Sequence, residues 1–190
     1  MTLLIVGLVL FLGLHSISIV AGGLRDRLIA RLGERPYKGL HALLSLAGFG
    51  LLVVGFAGAR VGSPVLYAPP AWLRHVALVL MLPVFPLAFA AYLPGRIQAR
   101  VGRPLLEATK TWAIAHLLAN GSLADVVLFG PFLAWAVVDS ISIKRRPPRA
   151  VPGAPPGRFN DLIAVLAGLG AYALLVGGLH LRLFGADPLG

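Results

Sequence analysis

The chain has 190 residues, of which 58% are hydrophobic and 13% charged, with a net charge of +10 and a mean hydropathy of +0.86. A charged fraction about half that of a soluble domain marks a membrane protein and leaves no room for a separate soluble catalytic domain. Cysteine is absent, which excludes disulfides, thiolate ligands and a cysteine nucleophile.

About 20 apolar residues cross the ~30 Å hydrocarbon layer as a helix, and the expected architecture is an all-α polytopic bundle forming one domain over residues 1–190. The first span is Thr2 to Ala21. It lacks a basic leader, and Arg25, Arg27, Arg31, Arg35 and Lys38 follow it at once, so it reads as an uncleaved anchor with its N-terminus outside. The second span is Leu40 to Ala57 and the third His75 to Leu93. Pro83 and Pro86 each remove a helical hydrogen bond in the third and predict a kink there.

From Lys110 to Val138 the chain stays apolar for too long to be one ordinary span, and the turn formers Asn120-Gly121-Ser122 interrupt it. A single crossing would leave the basic residues almost evenly divided between the two membrane faces. A helical hairpin with arms at 104–119 and 123–138 gathers every basic residue except Arg60, Arg74 and Arg182 on one face, which the positive-inside rule favours. Six membrane segments result, with both termini and the Asn-Gly turn outside and the basic loops in the cytoplasm. The charge therefore marks a membrane side and calls for no nucleic-acid partner.

Ser122-Leu-Ala-Asp125 has the form of a helix start, with Ser capping the first amides and Asp placed at the positive end of the helix dipole, so Asp125 needs no catalytic role. Pro131 predicts a kink in the second arm. Residues 139–160 form a Pro-, Gly- and Arg-rich basic linker. The last segment, Asp161 to Leu183, carries Ala164 with Gly168 and Ala173 with Gly177, small residues spaced for close helix contact.

Five histidines supply the obvious chemistry within the apolar segments: His15, His41, His75, His116 and His180. His41 and His75 lie at segment starts, within reach of the interface. His15 and His116 lie deeper, where a polar side chain without a partner is costly and is a functional candidate by default. A hydrogen bond to Ser16, Ser18, Asn120 or a backbone carbonyl is the structural alternative. At 1.5 Å per residue, His15 stands about 12 Å from the inner end of its helix and His116 about 18 Å above Pro104. That mismatch of roughly 6 Å permits two imidazoles to flank one iron without requiring it. Two protein nitrogens suit haem, whose porphyrin supplies the other four ligands; zinc is less suited, since no third ligand stands at a recognisable spacing. HExxH, Walker and dinucleotide-binding patterns are absent, and Ser45, Ser63 and Ser140 have no triad context.

The His15-Ser16 pair, the Arg-rich loop with Gly33-Glu34-Arg35, the Ser45-Leu46 run, Trp112-Ala-Ile-Ala-His116-Leu-Leu-Ala-Asn120-Gly121 and Leu128-Phe129-Gly130 together resemble the NnrU family of integral membrane proteins over nearly the whole chain. That family is associated with bacterial denitrification, in the expression or maturation of nitrite and nitric oxide reductases. It includes the membrane domain of zeta-carotene isomerase, a haem b protein, and more distantly resembles isoprenylcysteine and phospholipid methyltransferases. The resemblance implies His15 and His116 as haem ligands. Ser16 and Asn120 are candidates to tune the iron and Trp112 to line the pocket, a role weighed for Trp135 too, although interfacial tryptophans commonly anchor.

Two departures count against transfer of the relatives' activities. Ala113 stands where the isomerase has a cysteine proposed to exchange with the histidine, and Arg103-Pro104 replaces a His-Pro common among relatives. The expected function is accordingly a haem b-binding protein of a bacterial inner membrane, with a redox or isomerase-like role or a part in denitrification. A non-enzymatic docking or assembly factor is the alternative, and a methyltransferase relative the third reading. Expected partners are membrane lipid and either a reductase subunit or an apolar small molecule.

Overall fold

A computed structural model describes residues 1–146 and 153–189. Among these the chain is helical, with one isolated bridge between Val65 and Ser122 in place of a sheet. Five helical stretches are long and apolar enough to cross a membrane: Thr2–Val20, Glu34–Arg60, Trp72–Ala90, Leu123–Ile143 and Asn160–Phe184. A sixth, Pro104–Ala119, has 16 residues and would extend about 24 Å, short of a full crossing without thinning or burial. The helical membrane bundle expected from the sequence is thus observed. Part of the basic linker, residues 147–152, lies outside the described residues.

The chain divides into two compact units, Met1–Leu66 with Ser122–Arg146, and Tyr67–Gly121 with Pro147–Gly190. The two arms of the expected hairpin belong to different units, one to each.

The first unit comprises α1 (Thr2–Val20), α2 (Gly22–Leu32), α3 (Glu34–Arg60) and the helix Leu123–Ile143, here α8. Its central packing is α1 on α3, and glycine sets how close they come. A Cβ on Gly55 would overlap the backbone of Leu4; one on Gly7 would stand 2.7 Å from the Leu52 nitrogen, and one on Gly48 3.1 Å from that of Phe11. Leu4 is fully buried as a result. In lipid, where apolar side chains gain nothing by leaving solvent, such backbone approach supplies the packing energy. Helix α2 is short, has no buried residue and carries Arg25 5.7 Å from the Tyr37 ring.

Helix α8 starts as its sequence predicts. Ser122 Oγ accepts the Asp125 amide at 3.3 Å, and the Asp125 carboxylate accepts the Ser122 amide at 3.0 Å, a reciprocal cap. Ser63 Oγ accepts the Ala124 amide, so this serine closes a helix end. The helix continues unbroken through Pro131 to Ile143. At its far end Arg146 pairs with Asp139 and donates to the Ser18 carbonyl at the end of α1.

The second unit contains α4 (Trp72–Met81), α5 (Val84–Ala90), α6 (Arg96–Val101), α7 (Pro104–Ala119), α9 (Asn160–Leu174) and α10 (His180–Phe184). The break between α4 and α5 follows from Pro83, which has no N–H for the Val79 carbonyl. The Leu82 amide takes that carbonyl at 3.2 Å, and the Leu78 carbonyl accepts the Tyr172 hydroxyl at 3.1 Å. On α9, Gly168 admits the backbone of Pro86, whereas a Cβ on Gly177 would meet nothing within 4 Å. Of the two small-residue pairs, only the Ala164 and Gly168 pair packs against a neighbour. The second pair instead runs into a wide turn, Leu175–Leu179, which contains Gly177 and is kinked at Gly178 with φ 124°, a conformation that favours glycine. The Asp161 carboxylate accepts the Arg96 and Ile97 amides at 2.9 and 3.1 Å and caps α6. Asn160 is buried and donates to the Pro94 and Pro155 carbonyls.

Gly55→Val is expected to force α1 from α3 and to cost roughly 1–3 kcal/mol, the usual range for overpacking. The readout is a lower midpoint for heat-induced loss of monodisperse protein in detergent. Gly58→Val, at a glycine with nothing within 4 Å, should leave that midpoint unchanged.

Candidate functional site

Each unit holds one of the deep histidines, and each of these has a second imidazole beside it in its own unit. His15, in the fourth turn of α1, has Nδ1 2.7 Å from the Phe11 carbonyl oxygen. A carbonyl only accepts, so Nδ1 carries the proton and Nε2 the lone pair of the neutral ring. Phe11 stacks on this imidazole with 4.4 Å between centroids, His41 meets it edge-on at 5.2 Å, and Trp135 stands perpendicular to it at 6.0 Å. Ser45 Oγ lies 3.4 Å from His41 Nδ1. The Trp135 indole nitrogen is buried and has no hydrogen-bond partner. An orphaned donor of this kind costs about 1–3 kcal/mol and calls for an acceptor.

His116, near the end of α7, repeats the arrangement. Its Nδ1 is 2.9 Å from the Trp112 carbonyl oxygen, which again leaves the lone pair on Nε2, and the Trp112 ring lies 5.2 Å away by centroids. The neighbouring imidazole is His180, at 6.5 Å and 30° between ring planes. His180 Nδ1 is 2.8 Å from the Ala186 carbonyl oxygen. A cavity of about 160 Å³ in this unit is lined by His116, His180, Arg74, Asn120, Asp187 and the apolar side chains of α4 and α7. That volume is below the ~300–1,000 Å³ of sites enclosing drug-sized ligands, so the cavity by itself encloses a small group.

The end of α7 is held from outside the helix. The Tyr67 hydroxyl lies 2.5 Å from the Leu117 carbonyl and 2.8 Å from that of Asn120, where a helix terminus leaves carbonyls without helical partners. The Tyr67 amide donates to the Gly121 carbonyl. A Cβ at Gly121 would overlap the Tyr67 carbonyl oxygen. The glycine is therefore required for space: it is not among the positive-φ glycines, and Asn120 is extended with φ −134°. The turn expected at Asn-Gly is thus an extended exit from α7.

The remaining sequence candidates sit close to the histidines but act on backbone. Ser16 Oγ donates to the Leu12 carbonyl, and Asn120 Nδ2 donates to the backbone carbonyl of His116 at 3.0 Å. Trp112 touches His116 through both its ring and its carbonyl. The sequence reading missed His180 and Arg74 as neighbours of His116, and His41 as the neighbour of His15. Among the described residues no group of three or more His, Cys, Asp or Glu side chains is placed to hold a metal ion.

These contacts lie within a chain that matches one family model, NnrU protein, over residues 3–188. The chain belongs to the NnrU family. No curated protein and no solved structure matches it, so its membership of NnrU rests on the family model and on the sequence motifs that surround His15 and His116.

Tyr67→Phe is expected to loosen the end of α7 by about 0.5–1.5 kcal/mol, the net worth of one hydrogen bond. Hydrogen–deuterium exchange should rise in the peptide covering residues 117–121 and stay constant in α9.

Proposed function

We propose that this NnrU-type membrane protein binds haem b, with His15 and His116 as the ligating imidazoles, and serves a redox or isomerase-like role or the maturation of denitrification reductases. The observation that carries the reading is the matched state of the two rings. Each Nδ1 is committed to the carbonyl four residues earlier on its own helix, the backbone support that orients ligating histidines and fixes their tautomer. Each therefore offers Nε2 as donor atom, which fits imidazole-ligated haem iron in donor chemistry. The orphaned Trp135 N–H beside His15 is a further sign of a missing acceptor on that side.

Bound haem would supply one-electron chemistry and an iron centre whose potential follows its ligands and their hydrogen bonds. The chain's own residues orient the rings and shield them. Phe11 covers one face of His15, and Trp112 lies against His116. Membership of the NnrU family supports a bacterial inner membrane as the location, and the distribution of basic residues favours both termini outside.

Absorption spectra of detergent-purified protein made with haem precursor supply, oxidised and dithionite-reduced, test the reading. A Soret band that is lost or shifted in both His15→Ala and His116→Ala is the expected result. A folded, colourless wild type would overturn it and leave a docking or assembly factor, in which the same histidines serve only as helix-bonded polar groups.

A further inference from the structure

The cavity beside His116 has walls whose charges are complementary to a ligand of both signs. Its polar lining converges at one end of the second unit: Arg74 from the first turn of α4, Asn120 from the exit of α7, His180 from the start of α10, and Asp187 from the segment that follows. The floor is apolar, formed by Ala77, Leu78, Met81, Ala115 and Ala119. Among the described residues the ion pairs are Arg25–Asp26, Lys38–Glu34, Lys110–Glu107 and Arg146–Asp139, so Arg74 and Asp187 form none with each other or elsewhere. One guanidinium and one carboxylate thus line the same small recess without forming an ion pair with each other.

The chain accepts a backbone cost to complete this wall. The wide turn Leu175–Leu179, with Gly178 at φ 124°, directly precedes His180 and changes its phase relative to α9. Interruptions of this kind inside helices occur frequently at functional sites. His180 is then held by the Ala186 carbonyl through Nδ1, which also ties the Asp187 segment back toward the imidazole. Asp187 Oδ1 accepts the Leu189 amide at 2.9 Å, a local contact that orients the acidic side chain.

We propose that this cavity binds a small zwitterion that pairs a phosphate or carboxylate with a primary ammonium. The anionic end lies against Arg74, whose planar donors match an oxyanion, with the His180 imidazole beside it. The ammonium end lies against Asp187. A volume of about 160 Å³ admits a group of this size but not a long chain, so any acyl part of the ligand would remain in the surrounding bilayer. Two sources carry the same chemistry, the ethanolamine headgroup of a phospholipid and a free soluble zwitterion. The site rests on Arg74, His180 and Asp187 and takes nothing from the haem reading.

Isothermal titration of the detergent-purified protein with O-phosphoethanolamine, inorganic phosphate and ethanolamine tests the chemistry. In a second arm the protein is placed in nanodiscs of mixed ethanolamine and glycerol phospholipids, and the lipid retained after extraction is counted by mass spectrometry. Phosphoethanolamine should bind at least ~10-fold more tightly than either half, a difference of about 1.4 kcal/mol, or the ethanolamine lipid should be enriched over its bulk fraction. Arg74→Gln should abolish either effect, and Asp187→Asn should reduce phosphoethanolamine to the affinity of phosphate. Retention of ethanolamine lipid identifies the headgroup as the ligand, and titration without retention identifies the free zwitterion. Equal affinity for phosphate and phosphoethanolamine, variants that behave as wild type, or no binding in both arms would overturn the proposal.

Discussion

The first unit depends on how closely two backbones can approach. Leu4 lies against Gly55, Gly7 against Leu52 and Phe11 against Gly48, an antiparallel register that advances by one helical turn at a time. Continued by another turn, the same register brings His15 opposite Leu44, within one turn of His41. The contact between these imidazoles is therefore a product of glycine positions up to forty residues away in the chain. A side chain at any of the three glycines would alter the spacing along the whole pair, and with it the surroundings of His15.

The second unit is governed by the need to satisfy backbone groups where helices stop, a need that is strictest at the Pro83 break, which lies within an apolar span. Pro83 interrupts a span, and the Tyr172 hydroxyl takes a carbonyl at the break. Helix α7 ends, and the Tyr67 hydroxyl and the Asn120 amide take carbonyls of its last turn. Asp161 performs the converse service for the amides of α6. These ties also hold the cavity in shape, since Leu78, His116 and Asn120 all line it.

Much of this fold is legible in the sequence where the signal is local. The spans follow from hydropathy, the start of α8 from Ser122 and Asp125, and the interruption of the third span from Pro83. The pairing of the histidines is not legible, for a physical reason. In a membrane bundle both the lipid-facing and the protein-facing sides of a helix are apolar, so hydropathy does not report which side of α1 or α7 turns inward. Measuring depth along the helices gives the height of His15 and His116 and says nothing of their rotation. His41 and His180 were therefore hidden, as was the reason for Gly121, which is the proximity of Tyr67 and not the handedness of a turn. The motifs around His15 and His116 were sufficient for the family, because they are strings of residues and need no register to be read.

The wide turn at Leu175–Leu179 divides one span into two orientations. On an uninterrupted helix each residue advances by about 100°, and the stripe that begins with Ala164 and Gly168 would continue past position 180 on the same side. The extra residue shifts that phase, so the first half of the span serves α5 while the second turns its histidine toward α7. A single transmembrane segment thus acts as two short helices with separate partners, and its length in residues exceeds what its packing in either half would require.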